Sequence, residues 1–276
     1  MAVGESVSPS DEGAVHTAAG SLPGVPGSTA AGRSPGPSAG QNGAGDRPGR
    51  PSPPLLAAAI RPWAGALLAG CAILVAVLGV LFAHQTTADR FDRAVDSPVI
   101  SGLGGHYGLL LWLAAPGSYL PAAALTVVIV AACLAAGRLN GAVLGAAAVP
   151  VTVGLNDGLL KHLFHRTYLG GLSYPSGHTA AVFALAGTVT VLLLIPPRPA
   201  RGGVWRVLVP VAACVVGVVV AIAVIGLQWH YFTDTVAGAA LGIGTVCGLA
   251  LILDLPVPRR WLAQAGRWRP AARRRP

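Results

Sequence analysis

VWRVLVPVAACVVGVVVAIAVIGLQWHYFTDTVAGAALGIGTVCGLALIL, residues 204–253, decides the fold. It holds two apolar runs, 204–227 and 234–253. A hydrocarbon core about 30 Å thick takes about 20 apolar residues as helix, so each run is long enough to cross. The short turn between them carries His230 and opens the second helix near Thr233, which lets Asp234 face His230 at a four-residue offset. A carboxylate on one imidazole nitrogen fixes the tautomer and leaves the other nitrogen free to attack.

Working outward, four more runs qualify as spans: 63–83, 119–136, 142–163 and 178–195. The sequence therefore predicts an all-α bundle of six transmembrane helices. Small residues such as Gly238, Gly242, Gly244 and Gly248 allow close helix approach within it. Residues 109–115 are apolar but too short to span, and are expected at the interface before the Pro116-Gly117 break. The composition agrees: the 276 residues are 53% hydrophobic and 11% charged, against about a quarter charged in soluble domains. Residues 1–60, rich in Gly, Ser, Pro and Ala, are expected to be a disordered tail. Residues 61–255 form the membrane domain and 256–276 a basic tail suited to anionic headgroups.

The net charge of +9 does not indicate nucleic acid, because the arginines sit in tails and short loops with no basic stripe. Their distribution instead sets topology. With both termini cytoplasmic, the inside receives Arg61, Arg138, Arg198, Arg201, Arg206 and the C-terminal cluster, while the outside keeps Arg90, Arg93, Lys161 and Arg166. The four cysteines, Cys71, Cys133, Cys214 and Cys247, lie in apolar runs without CxxC spacing and read as buried free thiols.

That topology gathers the polar residues on the extracytoplasmic side. The segment between the third and fourth helices supplies Lys161, His162, His165, Arg166 and the run Pro175-Ser176-Gly177-His178. Ser176 and Gly177 precede a helix whose first amides have no intrahelical acceptor, so a phosphate oxygen fits there. Lys161 and Arg166 are candidate phosphate contacts, with Asp157 one helical turn away as a structural partner of Lys161. His162 and His165 match no zinc spacing and are read as interfacial.

Pro175–His178 and the His230-x-x-x-Asp234 pair, followed by Ala237-Gly238, resemble two motifs of the type 2 phosphatidic acid phosphatase (PAP2) superfamily of membrane lipid phosphatases. The resemblance covers roughly residues 63–253. It implies His230 as the nucleophile forming a phosphohistidine, Asp234 as its orienter and His178 as the acid for the leaving alkoxide. It implies no cofactor and no metal, and a lipid phosphate or diphosphate as substrate. Two positions depart from the family. Its first motif places Arg-Pro seven residues after the lysine, where this chain has Tyr168-Leu169, and the arginine of its third motif falls on Val224. Loss of one such cation costs about 2–4 kcal/mol of barrier. Arg90 and Arg93 are candidate replacements, although Asp89, Asp92 and Asp96 beside them point to ordinary solvated pairing. A phosphoryl transferase and a PAP2-like lipid-binding protein without turnover remain alternatives, and the lipid itself is open.

Overall fold

Glycine and alanine spacing sets the centre of the bundle. In the computed structural model, which describes residues 54–194 and 203–255, α7 (Gly177–Leu194) and α9 (Phe232–Leu253) approach almost backbone to backbone. A Cβ on Gly238 would lie 2.5 Å from the Ser176 carbonyl oxygen, and one on Gly242 2.4 Å from that of Ala180. No larger residue fits at either position, and the contact brings the N-terminal ends of the two helices together. Three further helices enclose this pair. α1 (Arg61–Phe82) packs on α9, with the Cys71 Cβ 3.0 Å from where a Cβ of Gly244 would stand. α5 (Leu139–Leu155) touches both central helices. α8 (Trp205–Gly226) lies on α7, where Phe183 fills the space over Gly217. α4 (Tyr119–Ala135) covers α5, with Ile129 over Gly145.

α5 does not stop at Leu155. It runs on through a π-helical turn, Asn156–Leu160, into α6 (Lys161–Phe164), so that Leu139–Phe164 is one helix of 26 residues. Such turns widen the helix locally and recur at functional sites. Here the widened turn ends on Lys161.

Among the described residues, six helical segments are long and apolar enough to cross a membrane: Arg61–Phe82, Arg90–Gly117, Leu139–Phe164, Gly177–Leu194, Trp205–Gly226 and Phe232–Leu253. Tyr119–Ala135, which the sequence places among the spans, is shorter at 17 residues, and Arg90–Gly117 takes its place by length. Contacts at the ends of these two segments separate them. Arg90–Gly117 comprises α2 (Arg90–Leu103), a 3-10 turn, α3 (Tyr107–Ala114) and a second 3-10 turn. Near its start Asp92 accepts a bond from the Thr233 amide at the head of α9, 2.9 Å. Its last residue, Gly117, presses on the His178 backbone at the head of α7. Both ends therefore meet the same end of the bundle. Ser118, which precedes α4, lies beside His178, and the residue after the following turn, Arg138, donates to the Leu192 carbonyl at the far end of α7 (2.8 Å). Its 17 residues rise about 26 Å at 1.5 Å per residue, close to the hydrocarbon thickness. α4 crosses the bundle, and α2–α3 lie along one end of it.

Two local features depart from the sequence reading. β1 (Thr167–Tyr168) and β2 (Gly171–Leu172) form a small antiparallel hairpin. Its two turn residues, Leu169 and Gly170, both have positive φ (47° and 84°), the signature of a twisted two-residue turn. Cys214 is exposed instead of buried. At the opposite end of the bundle, the Leu55 and Leu56 amides donate to the Asp254 carboxylate at 2.7 and 2.8 Å, and both leucines are buried. The end of the expected disordered tail is thus packed against α9. The remainder of that tail, residues 195–202 and the basic tail 256–276 lie outside the described residues.

Candidate active site

Because α7 and α9 meet at their N-terminal ends, Gly177, His178 and His230 line one cavity of about 920 Å³, together with Lys161 at the end of the widened turn. His178, in the first turn of α7, has its Nε2 3.4 Å from the Ser118 hydroxyl and its ring tilted against Trp229, 5.3 Å between centroids. Gly177 has little room for a side chain: a Cβ there would stand 3.3 Å from Asn156 Nδ2. Lys161 Nζ pairs with Asp157 Oδ1 at 2.8 Å, as its helical spacing predicts. Asp157 also accepts from Tyr119 Oη (3.0 Å) and Asn156 Nδ2 (2.9 Å). Tyr168, at the family position of arginine, and Trp229 line the same cavity. Below the histidines the lining turns apolar. Ala122, Ala123 and Val127 of α4, with Thr126 among them, face Val149, Pro150 and Val153 of α5 along about one and a half helical turns.

Behind His230 lies a second polar cluster, sealed from the cavity. His230 Nδ1 stands 3.8 Å from Asp234 Oδ2, longer than a hydrogen bond and without another partner. The same Asp234 oxygen accepts from the Tyr231 amide (3.2 Å), and the Asp234 carbonyl accepts from the Ser176 amide (3.0 Å). Arg166 Nη1 donates to Asp234 Oδ1 and to Thr233 Oγ1, both at 2.6 Å, while Nη2 donates to Asp92 Oδ2. Asp92 also receives the Thr233 hydroxyl (3.1 Å), and Asp96 receives the Phe232 amide (3.1 Å). The guanidinium is stacked between the rings of Phe82 and Tyr231, 4.6 and 4.3 Å from their centroids. Burial pushes the Tyr231 phenol up to about 12 and raises that of Tyr168, so both stay uncharged beside this cluster.

Several sequence expectations are corrected by this geometry. Arg166, expected at the phosphate, is absent from the cavity wall, and its side chain is fully buried between two carboxylates. Ser176 is also buried. Its hydroxyl lies 3.1 Å from Thr179 Oγ1 and accepts weakly from the Thr179 amide, so the side chain caps α7 and is turned away from the cavity. Asp92 and Asp96 are buried, not solvated: their helix is held against the head of α9 by bonds to backbone amides. Arg90 and Arg93 are exposed and neither lines the cavity, so they do not replace the missing arginine. Val224 sits wholly buried in an apolar cluster with Leu110, Val220 and Leu227. His162 and His165 are exposed, and a third imidazole, His84, stacks on His165 at 6.0 Å between centroids. Among the described residues no group of three or more His, Cys, Asp or Glu side chains is arranged to hold a metal ion.

Asp92, Thr233 and the aromatic pair around Arg166 escaped the sequence reading. Asp92 lies 74 residues from its guanidinium partner, and no local spacing links them.

Residues 122–255 match the sequence model of the PAP2 superfamily, in agreement with the resemblance seen in the motifs. Among solved structures it is similar to a transmembrane PAP2-type phosphatidylglycerolphosphate phosphatase from Bacillus subtilis. The TM-score is 0.50 at 18% identity, over 75% of this chain and 98% of that one. No curated protein sequence matches it. The chain is therefore a multi-pass membrane protein with a transmembrane PAP2 fold, and at this identity the likeness extends to the fold alone.

Proposed function

We propose that this protein is a membrane phosphatase that removes phosphate from a lipid phosphate or diphosphate through a phosphohistidine. One observation carries the reading: a single cavity joins two histidines at helix N-termini to an apolar groove between α4 and α5. A lipid phosphate has that same division, with an anionic head and a hydrocarbon tail. The nucleophile is His230, whose Nδ1 side faces Asp234 and whose Nε2 is thereby the attacking atom. As the bond from Nε2 to phosphorus forms, the ester oxygen leaves and takes a proton from His178. Lys161 and the first amides of α7, at Gly177 and His178, hold the phosphoryl oxygens. Water then attacks phosphorus, returns a proton to His178 and frees phosphate. The nucleophile is a side chain and the charge on phosphate is met by Lys161 and amides, so turnover is expected to persist in EDTA.

The active site is proposed to face the extracytoplasmic side. Arg61, Arg138 and Arg206 all lie at the opposite end of the bundle, bonded to Asp254, Leu192 and Leu193, and arginines of this kind favour the cytoplasmic side.

A lipid-phosphate-binding protein without turnover is the second reading. It is favoured by Lys161 being the only Lys or Arg on the cavity wall among the described residues, already paired with Asp157. Rapid alkaline quench of the detergent-solubilised protein with labelled lipid phosphate separates the two. A base-stable, acid-labile phosphoenzyme should form in the wild type and vanish in His230→Ala, along with phosphate release. Undiminished release by His230→Ala would sink the mechanism, and absence of label and product in the wild type would favour the binding protein.

A further inference from the structure

We infer that Arg166 and Asp92 are positioning residues that act on the nucleophile through Asp234, and that Arg166 is not a phosphate ligand. The inference rests on His230 being the nucleophile. Three observations carry it. Arg166 has no path to the phosphate: its side chain is fully buried, held between the Phe82 and Tyr231 rings, and separated from the cavity wall. Its two terminal nitrogens are committed to acceptors on opposite sides, Asp234 and Thr233 on one and Asp92 on the other. Asp92 is anchored independently of Arg166, since its carboxylate also holds the Thr233 amide and hydroxyl. The head of α9, the guanidinium and α2 therefore form one rigid unit, and Asp234 has the rotamer that unit dictates.

The charge balance of the unit gives it a role in the reaction. Two carboxylates, Asp92 and Asp234, share one guanidinium, which leaves net negative charge inside the protein. The oxygen that Arg166 does not take is Asp234 Oδ2, which accepts from the Tyr231 amide and is the one nearest His230 Nδ1. When His230 Nε2 bonds to phosphorus, the imidazole becomes cationic with its Nδ1 proton retained. The surplus negative charge favours that state in a region where water does not screen it. Arg166 keeps Asp234 aimed, and Asp92, on the other side of the guanidinium, shares its charge.

The test uses the full-length protein in detergent with Asp92→Asn and Arg166→Lys, each checked for monodispersity and thermal stability. A positioning role predicts that kcat falls about 10- to 100-fold in both, while KM for the lipid phosphate and inhibition by inorganic phosphate stay within about twofold. The double variant should be little worse than Arg166→Lys alone, because both substitutions cut one network. A rise of tenfold or more in the phosphate inhibition constant of Arg166→Lys, with kcat retained, overturns the inference and makes Arg166 a phosphate contact. A second measurement needs no turnover: the rate at which diethyl pyrocarbonate modifies His230, read by mass spectrometry against exposed His84. Asp92→Asn should change the His230 rate at least threefold relative to His84. An unchanged ratio overturns the positioning role, even if Arg166→Lys fails to fold. Failure of the nucleophile reading shows elsewhere, as a wild type that forms no phosphohistidine.

Discussion

Lys161 and Arg166 are five residues apart in sequence and both were candidates for the phosphate, yet they end in opposite environments. Lys161 closes the π-helical turn at the mouth of the cavity, partly exposed and paired with a partly exposed Asp157. Arg166 follows a residue in the left-handed conformation, His165 at φ 50°, which ends the helix and turns the chain inward behind Asp234. One cation can meet a ligand; the other is occupied by carboxylates of the protein itself. The contrast follows from chemistry. A guanidinium has five donors in a fixed plane and suits a buried site between two carboxylates, whereas an ammonium on a flexible stem suits a site that must stay hydrated until substrate arrives.

Three substitutions on the cavity side probe that contrast, because each should affect substrate handling in a way the sealed cluster does not. The largest effect is expected for His178→Ala, a loss of about 10²–10⁴-fold in kcat. Much of this should be recovered on an aryl phosphate, whose phenolate leaves without a proton. An equal loss on both substrates would show that His178 does not serve as the acid. Lys161→Ala should lower kcat/KM by about 10²-fold and weaken inhibition by inorganic phosphate, the reverse of the pattern expected at Arg166. If the two variants behaved alike, the division between open and sealed cations would fail. The smallest effect is expected in the groove. Ala123→Phe should reduce kcat/KM for a long-chain lipid phosphate about tenfold while leaving a short soluble phosphate ester unchanged. Equal rates on the long-chain lipid would show that the tail lies elsewhere.

Much of the fold was legible because its signal is local. Apolar runs near 20 residues, small residues at four-residue spacing and the arginine pattern can each be read without knowing which helix touches which. Tyr119–Ala135 illustrates the margin: its length falls just short of a span, but the contacts at its two ends show that it crosses. The hairpin Thr167–Leu172 was not legible, since two-residue strands have no usable periodicity. In the site, Pro175–His178 and His230–Asp234 announced themselves because helix N-termini and four-residue offsets are sequence-near geometry. Ser176 was misjudged for a related reason. A hydroxyl before a helix suits both an anion and its own cap, and only in the folded chain does Thr179 take it.

The sequence by itself determined the class of molecule and the nearness of His230 to Asp234, because membrane spans and a four-residue spacing depend on residues close along the chain. Tertiary structure decided the roles of the cations. Asp92 and Asp234 reach Arg166 from 74 and 68 residues away, and nothing in the residue types announces that meeting. A charge's function depends on what surrounds it in space: Arg166 is sealed by the packing of α2 on α9, and Lys161 stays open because the cavity lies above it.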